Sequence, residues 1–337
     1  MVLLALTFLW ASRPGKASLL LLPIDVRDMS ADGRVFVGTT TVHDGEPVSW
    51  TEKYGIQRLA DHNMKGVADR VSADGSVILF WGPHDGPEWL YAKREKAKPQ
   101  QIGKVTYSFD YATAVRPISS GKLLLTVADG GSTAWYRQYV KADKIVLLER
   151  PEGLTIPLVS MTPNDSRFFG CVLGPEIDHQ LPRQHAAVWD GNGHIKLLAS
   201  ASPTSSSHVD AASYDGALLG GMIDDKTVVW SKDSVAFVIP PIPTTLSGPV
   251  TAIRSLASPI YGYALGAGNA DIDYIRAWVR LPSGQVMWFS SYLESLGVHV
   301  GGERFHAVLR ISRDGKTLLV SGSTEKSKNA QWRVTLP

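Results

Sequence analysis

The chain has 337 residues, 44% of them hydrophobic, and carries 34 basic against 32 acidic residues. That is an ordinary globular composition with enough apolar side chains for a core. Its basic residues form no run or stripe, which argues against a nucleic-acid binder, and its single cysteine, Cys171, rules out an intramolecular disulfide or a cysteine-built zinc site.

The segment VLLALTFLWA at 2–11 has the length of the apolar part of a secretory leader. No basic residue precedes it, Ala-Ser-Arg makes a poor cleavage site, and it is too short to span a bilayer as a helix. Residues 1–16 therefore read either as a leader or as a terminal strand. A leader would place the chain outside the cell or in the periplasm, with no membrane span. ASLLLLPI at 17–24 follows as an isolated strand with no partner nearby in sequence.

A unit then begins. Strand A (DVRDMS) leads through an Asp-Gly turn into strand B (RVFVG), and a loop leads to strand C (EPVSWT). A tight turn (EKYG) and strand D (IQRL) complete it. MSADGRVFVG at 29–38 returns as VSADGSVILF at 71–80 and as ISRDGKTLLV at 311–320. Asp-Gly between apolar runs is a strong hairpin signal, because both residues tolerate positive φ. The turn glycines read as Gly33, Gly75, Gly121, Gly216, Gly262 and Gly315, with Thr162-Pro163-Asn164-Asp165 filling the remaining gap. Each turn is followed by a tryptophan: Trp50, Trp89, Trp135, Trp189, Trp230, Trp278 and Trp332, spaced 39 to 54 residues apart.

Four-stranded repeats of about 40–50 residues are propeller blades. The expected fold is all-β, a seven-bladed propeller in one domain over 17–337, with the tryptophans packed between blades. The last unit stops after strand C, so 17–24 is expected to pair onto it as the outer strand and hide both open edges.

Residues 26–59, VRDMSADGRVFVGTTTVHDGEPVSWTEKYGIQRL, resemble the bacterial extracellular repeats of the HAF type, as does the closing segment YLESLGVHVGGERFHAVLRISRDGKTLLVSGSTEKSKNAQWRVTLP. The resemblance implies an often exported bacterial propeller. The family carries no agreed activity, so it transfers no site residue.

The A–B turns are short, whereas the B–C and D–A loops are long and varied, and long loops on a rigid scaffold commonly carry function. Most of the histidines map to that long-loop rim. His43 with Asp44 in HDGEP, and His84 with Asp85 in HDGPE, occupy equivalent places. A ring of carboxylates there is a candidate calcium site. His208 and His306 begin strands A, where Asp110 and Asp210 approach the channel. His306 is the candidate general base, with Asp110 or Asp210 orienting it or binding metal. This constellation suggests a metal-assisted hydrolase of a small ester or lactone, acting as a monomer on a small molecule at the channel mouth. The alternative is a propeller that binds without turnover, with contacts such as Tyr107, Tyr111, Tyr274 and Phe305. Cys171, in an apolar run, reads as buried and inert. SSYLESLG at 290–297 is expected to form one or two helical turns.

Overall fold

A computed structural model describes residues 16–337, apart from 41–44, 61–63, 83–88, 95–97, 105–114, 118–122, 130–132, 141, 163, 165, 175–181, 201, 203, 243–244 and 267–274. Among the described residues the chain forms seven small antiparallel sheets. Strand β1 (Ser18–Leu21) comes first in sequence. The first sheet holds β2 (Asp25–Met29), β3 (Phe36–Thr39), β4 (Pro47–Thr51) and β5 (Gly55–Arg58). The second holds β6 (Val67–Val71), β7 (Val77–Gly82), β8 (Trp89–Arg94) and β9 (Gln100–Lys104). The third runs β10 (Val115–Pro117), β11 (Leu123–Asp129), β12 (Thr133–Val140) and β13 (Ala142–Leu147). The fourth runs β14 (Thr155–Met161), β15 (Phe168–Leu173), β16 (Gln184–Trp189) and β17 (Ile195–Leu197). The fifth runs β18 (Ser207–Ala212), β19 (Leu218–Ile223), β20 (Lys226–Ser231) and β21 (Ser234–Ile239).

In the sixth sheet two short strands, β22 (Thr245–Leu246) and β23 (Val250–Ala252), share β24 (Ile260–Gly266), followed by β25 (Ile275–Arg280) and β26 (Val286–Trp288). The helix α1 (Phe289–Ser295) buries Phe289 and Leu293 and falls where SSYLESLG suggested helix. The seventh sheet takes β27 (Arg304–Ile311), β28 (Thr317–Thr324) and β29 (Ser327–Thr335). Strand β1 lies antiparallel on the outside of β29, from Ser18 opposite Thr335 to Leu21 opposite Trp332.

The seven periodic tryptophans all fall on the third strand of their sheets. Of those whose side chains are described, Trp50, Trp230, Trp278 and Trp332 pack in cores that join neighbouring sheets. Trp230 meets Phe169 and Ala186 of the fourth sheet, and Trp278 meets Ala211 and Leu218 of the fifth. Trp50 shares a core with Leu319 of the seventh sheet, so the last sheet packs on the first. Each buried indole also needs a partner for its N–H: Trp189, Trp230 and Trp278 donate to the carbonyls of Glu149, Ala199 and Tyr263 at 2.7, 2.9 and 2.8 Å.

The repeated Ser-x-Asp-Gly stretch has one structural meaning. In the first sheet Ser30 Oγ donates to Asp32 Oδ1 at 2.6 Å and accepts the Val35 N–H, while Asp32 Oδ1 accepts the Arg34 N–H. Ser72 and Asp74, Ser213 and Asp215, and Ser312 and Asp314 build the same network. In the fourth sheet Thr162 and Asn164 build it with a threonine and an amide. The turn glycine serves twice. Gly33 has φ +71°, a region L side chains rarely adopt, and a methyl group there would stand 2.6 Å from Thr317 Cβ of the neighbouring sheet. Gly75 seats Val35 and Gly216 seats Thr162 and Arg167 in the same manner. The motif is thus a hairpin and a joint between sheets.

Gly262 corrects one reading. It lies within β24, not in a turn, and its missing side chain leaves room for the Trp278 indole. The turn of the sixth sheet is instead built by Ser255 and Ser258, whose hydroxyls bond each other at 3.1 Å.

Candidate functional site

Within each Ser-x-Asp-Gly turn the serine and aspartate fold back onto the turn, and the glycine lies under the preceding sheet. Residue x alone is left over. Its backbone links turn to turn: Arg313 N–H donates to Ala31 O at 2.6 Å, and Ala31 N–H donates to Ala73 O at 2.8 Å. In the fourth sheet x is Pro163, which has no N–H, and Asn164 donates instead to Tyr214 O at 3.1 Å. The x side chains therefore gather where the turns converge. Ala31, Ala73, Tyr214 and Arg313, from the first, second, fifth and seventh sheets, line a cavity of about 500 Å³. Pockets for small molecules typically measure about 300–1,000 Å³.

The cavity wall carries charged groups of both signs. Asp32, Asp74, Asp314 and Arg34 complete it. Arg313 lays its guanidinium 4.5 Å from the centre of the Tyr214 ring, a cation–π contact between the seventh and fifth sheets. Burial pushes the Asp74 and Asp314 carboxyls up, but hydrogen bonds from Ser72 and Ser76, and from Ser312 and Lys316, outweigh it and hold both below the usual carboxylate range. These groups stay ionised near neutral pH and are weak bases.

Further along the inner strands, a β-bulge recurs three residues before the turn serine. The bulged residues are Arg27, Asp69, Asp210 and Leu309. A bulge leaves one residue out of the ladder and re-aims its side chain. Asp210 reaches back to His208, Oδ2 to Nε2 at 3.2 Å, with the two side chains 31% and 32% exposed. The hydrogen bond that His208 donates to Asp210 raises the His208 pKa, burial opposes it, and the carboxylate charge adds to the rise. Burial pushes the Cys171 thiol up to about 11, helped by the charge of Asp210. Burial and the same charge raise Tyr263. Asp210 is thus the charge shared by residues of the fourth, fifth and sixth sheets.

Of the residues singled out in the sequence, the structure brings His208 and Asp210 together. His306 is a bulged residue of β27 with Nε2 3.3 Å from Ser323 Oγ. Asp110, His43, Asp44, His84 and Asp85 lie outside the described residues, as do Tyr107, Tyr111 and Tyr274. Among the described residues no three His, Cys, Asp or Glu side chains gather as a metal site, and no helix is long and apolar enough to cross a membrane. Phe305 is a correction: it is 5% exposed and packs edge-on against Trp332 at 5.1 Å, in the core and not on the rim. Tyr214, Arg313 and Arg34 were missed, although the signal was present as the variable letter, and the residue after the glycine, of a repeated motif.

No family model matches the chain, and no curated protein matches it. Solved structures do. The β-propeller domain of Myceliophteria thermophila Cps50 (Swd1) superposes with TM-score 0.54 at 9% identity, covering 95% of this chain and 96% of that one. The tricorn protease superposes with TM-score 0.56 at 15% identity over 93% of this chain, which spans 34% of the protease chain. At such identities the likeness shows the fold, and this chain is an all-β protein of the propeller type.

Proposed function

We propose that the chain is a single seven-bladed propeller over 17–337, closed by β1 on the last blade, that binds a ligand at the mouth of its central channel without turning it over. The observation carrying this reading is the convergence of Ala31, Ala73, Tyr214 and Arg313 around one cavity, while the rest of the motif supplies the stability. Ionised carboxylates with lowered pKa recognise charge well and abstract protons poorly, which favours binding over catalysis at this mouth. The test is a chemical-shift map of the labelled protein against a mixed panel of amines, amino acids, organic acids and sugars. Saturable shifts at the amides of Ala31, Ala73 and Tyr214 support the reading. Shifts confined to outer strands such as β21, or turnover of a panel compound, overturn it.

The His208–Asp210 pair favours a second reading, a hydrolase of small esters or lactones. His306 would then serve as base, and calcium would be held by Asp44 and Asp85 with His43 and His84. Turnover of a lactone and ester panel followed by pH-stat, lost with EDTA and restored by calcium, would support it. The HAF-type resemblance of the turn motif favours an extracellular or periplasmic protein, and a monomer is the expected state. Export of the full chain in a bacterial host, with sedimentation of the product, checks both points.

A further inference from the structure

The cavity already holds a cation, and that cation belongs to the protein. Arg313, from the seventh sheet, lies over the Tyr214 ring of the fifth. Its backbone is pinned twice, by its own N–H on Ala31 O and by Arg254 Nε donating to its carbonyl at 3.0 Å. The side chain can therefore leave the ring without disturbing the turn. An exposed cation–π contact is weak, so a competing cation can displace it.

The carboxylates provide the second half of such a site. Oδ1 of Asp74 and of Asp314 takes the hydrogen bonds of the turn, and both carboxylates line the cavity. The fourth sheet shows that the turn itself does not need the charge, because Asn164 makes the same bonds through its amide oxygen. Negative charge at 32, 74 and 314, around the cavity, exceeds what the hairpins require.

We propose that the turn-side mouth is a receptor for one guanidinium or ammonium group, and that Arg313 is an internal surrogate occupying it in the free protein. The proposal rests on the binding reading above and narrows its ligand class. Recognition would place the cation over the Tyr214 ring and beside Asp74 and Asp314, with the Arg313 side chain swung out to solvent.

The experiment uses the full chain with 15N-labelled arginine. In the free protein the Arg313 Nε–H resonance should be shifted by the ring current of Tyr214, whose centre lies 4.5 Å from the guanidinium carbon. Probes are N-acetyl-arginine amide, N-acetyl-lysine amide, agmatine and a short arginine-containing peptide, with N-acetyl-aspartate amide and glucose as uncharged or anionic controls. The expected result is a saturable return of that resonance toward the free arginine position with the cations alone. Comparing agmatine with the peptide separates a free amine from a peptide side chain as the source. Arg313→Gln should tighten cation binding roughly two- to fivefold, the range of an exposed cation–π contact. Asp74→Asn with Asp314→Asn should weaken it about tenfold, and in the unaltered protein raising salt should weaken it as well. Cation affinity that is insensitive to salt, or that falls in Arg313→Gln, overturns the proposal. Shifts at Ala31 and Ala73 produced only by the anion or the sugar overturn it while leaving the binding reading standing. No shift with any compound removes both.

Discussion

Asp28 and Arg310 meet at 2.9 Å, Oδ1 to Nε, although 282 residues separate them in the chain. Asp28 is 1% exposed and its other oxygen accepts the Val71 N–H at 3.2 Å. One carboxylate therefore ties the inner strand of the first sheet to those of the second and the seventh. Beside it, Gln331 of β29 bonds both backbone groups of Val26, accepting its N–H and donating to its carbonyl. The first and last sheets are joined by specific polar contacts as well as by the core around Trp50 and Leu319.

Removing one side of a buried ion pair leaves an uncompensated charge, at a cost of about 3–5 kcal/mol. Arg310 is 37% exposed, so water relieves part of that penalty on its side. Asp28→Ala should cost about 3 kcal/mol, at the lower end of the range because of that relief, even though it also orphans the Val71 N–H. Asp28→Asn, which keeps an acceptor, should cost less. Urea denaturation measures both, and equal midpoints for all three proteins would show that the pair contributes nothing.

Two glycines with the same backbone conformation separate strain from crowding. Gly55 has φ +65° and nothing within 4 Å of a built methyl group, whereas Gly33 at φ +71° faces Thr317. Gly55→Ala should lose about 1–2 kcal/mol from the left-handed conformation alone. Gly33→Ala should lose clearly more, because Thr317 must move and the joint between the first and seventh sheets opens. Equal losses would mean the turn glycine is a hairpin residue only.

The strand order and the inter-sheet tryptophans were legible because they depend on local chemistry: Asp-Gly turns, β-branched runs and a large apolar residue at a fixed offset. The sixth sheet was misread where local chemistry departs from the pattern. Its turn uses Ser255 and Ser258, and the nearest glycine, Gly262, answers to the Trp278 indole. The mouth was not legible for a different reason. Tyr214 and Arg313 share no property as letters, and only the geometry of the turns shows that both point to one place. The histidine-rich loops drew attention because histidine chemistry is visible in a sequence, whereas convergence is not. The sequence reading set Asp110 or Asp210 beside His306, whereas the structure sets Asp210 beside His208, two residues away on the same strand.

That pair makes stability depend on pH. His208 binds its proton more tightly folded than unfolded. Its contribution is therefore complete below the unfolded value of about 6.5 and fades as pH rises through the raised folded value. With both side chains about a third exposed, the effect should stay under about 1 kcal/mol. Urea midpoints measured from pH 5 to 9 should fall across that window and flatten in His208→Gln. A steeper fall in the variant would assign the dependence to another group.

Cys171 should be chemically quiet. It is 5% exposed and its thiol is pushed up to about 11, so the reactive thiolate is scarce at pH 8. Labelling with a disulfide reagent should proceed only as fast as the protein opens, and should accelerate with urea. Fast labelling of the native chain would place the thiol at an accessible surface.

The outer strand of the last sheet offers the most direct test of closure. β1 pairs along β29, and the residues just after it continue the attachment: Leu22 N–H donates to Gln331 O at 2.8 Å, and Leu22 and Ile24 are 6% and 5% exposed. Both belong to the core that contains Trp50 and Leu319. Deleting residues 1–24 would remove two buried aliphatic side chains, each contributing about 1.5–3 kcal/mol on burial, and would leave the backbone groups of β29 open to solvent and to other chains. Such a loss is comparable with the whole stability of an ordinary domain, about 5–15 kcal/mol. The shortened chain should lose its cooperative transition or aggregate through the exposed edge. Supplying residues 16–24 as a separate peptide should restore part of the transition, since the strand would regain the same register on β29. A deletion variant that melts like the full chain would mean that the seventh sheet is held by its neighbours alone, and that the pairing of β1 decorates the fold without closing it.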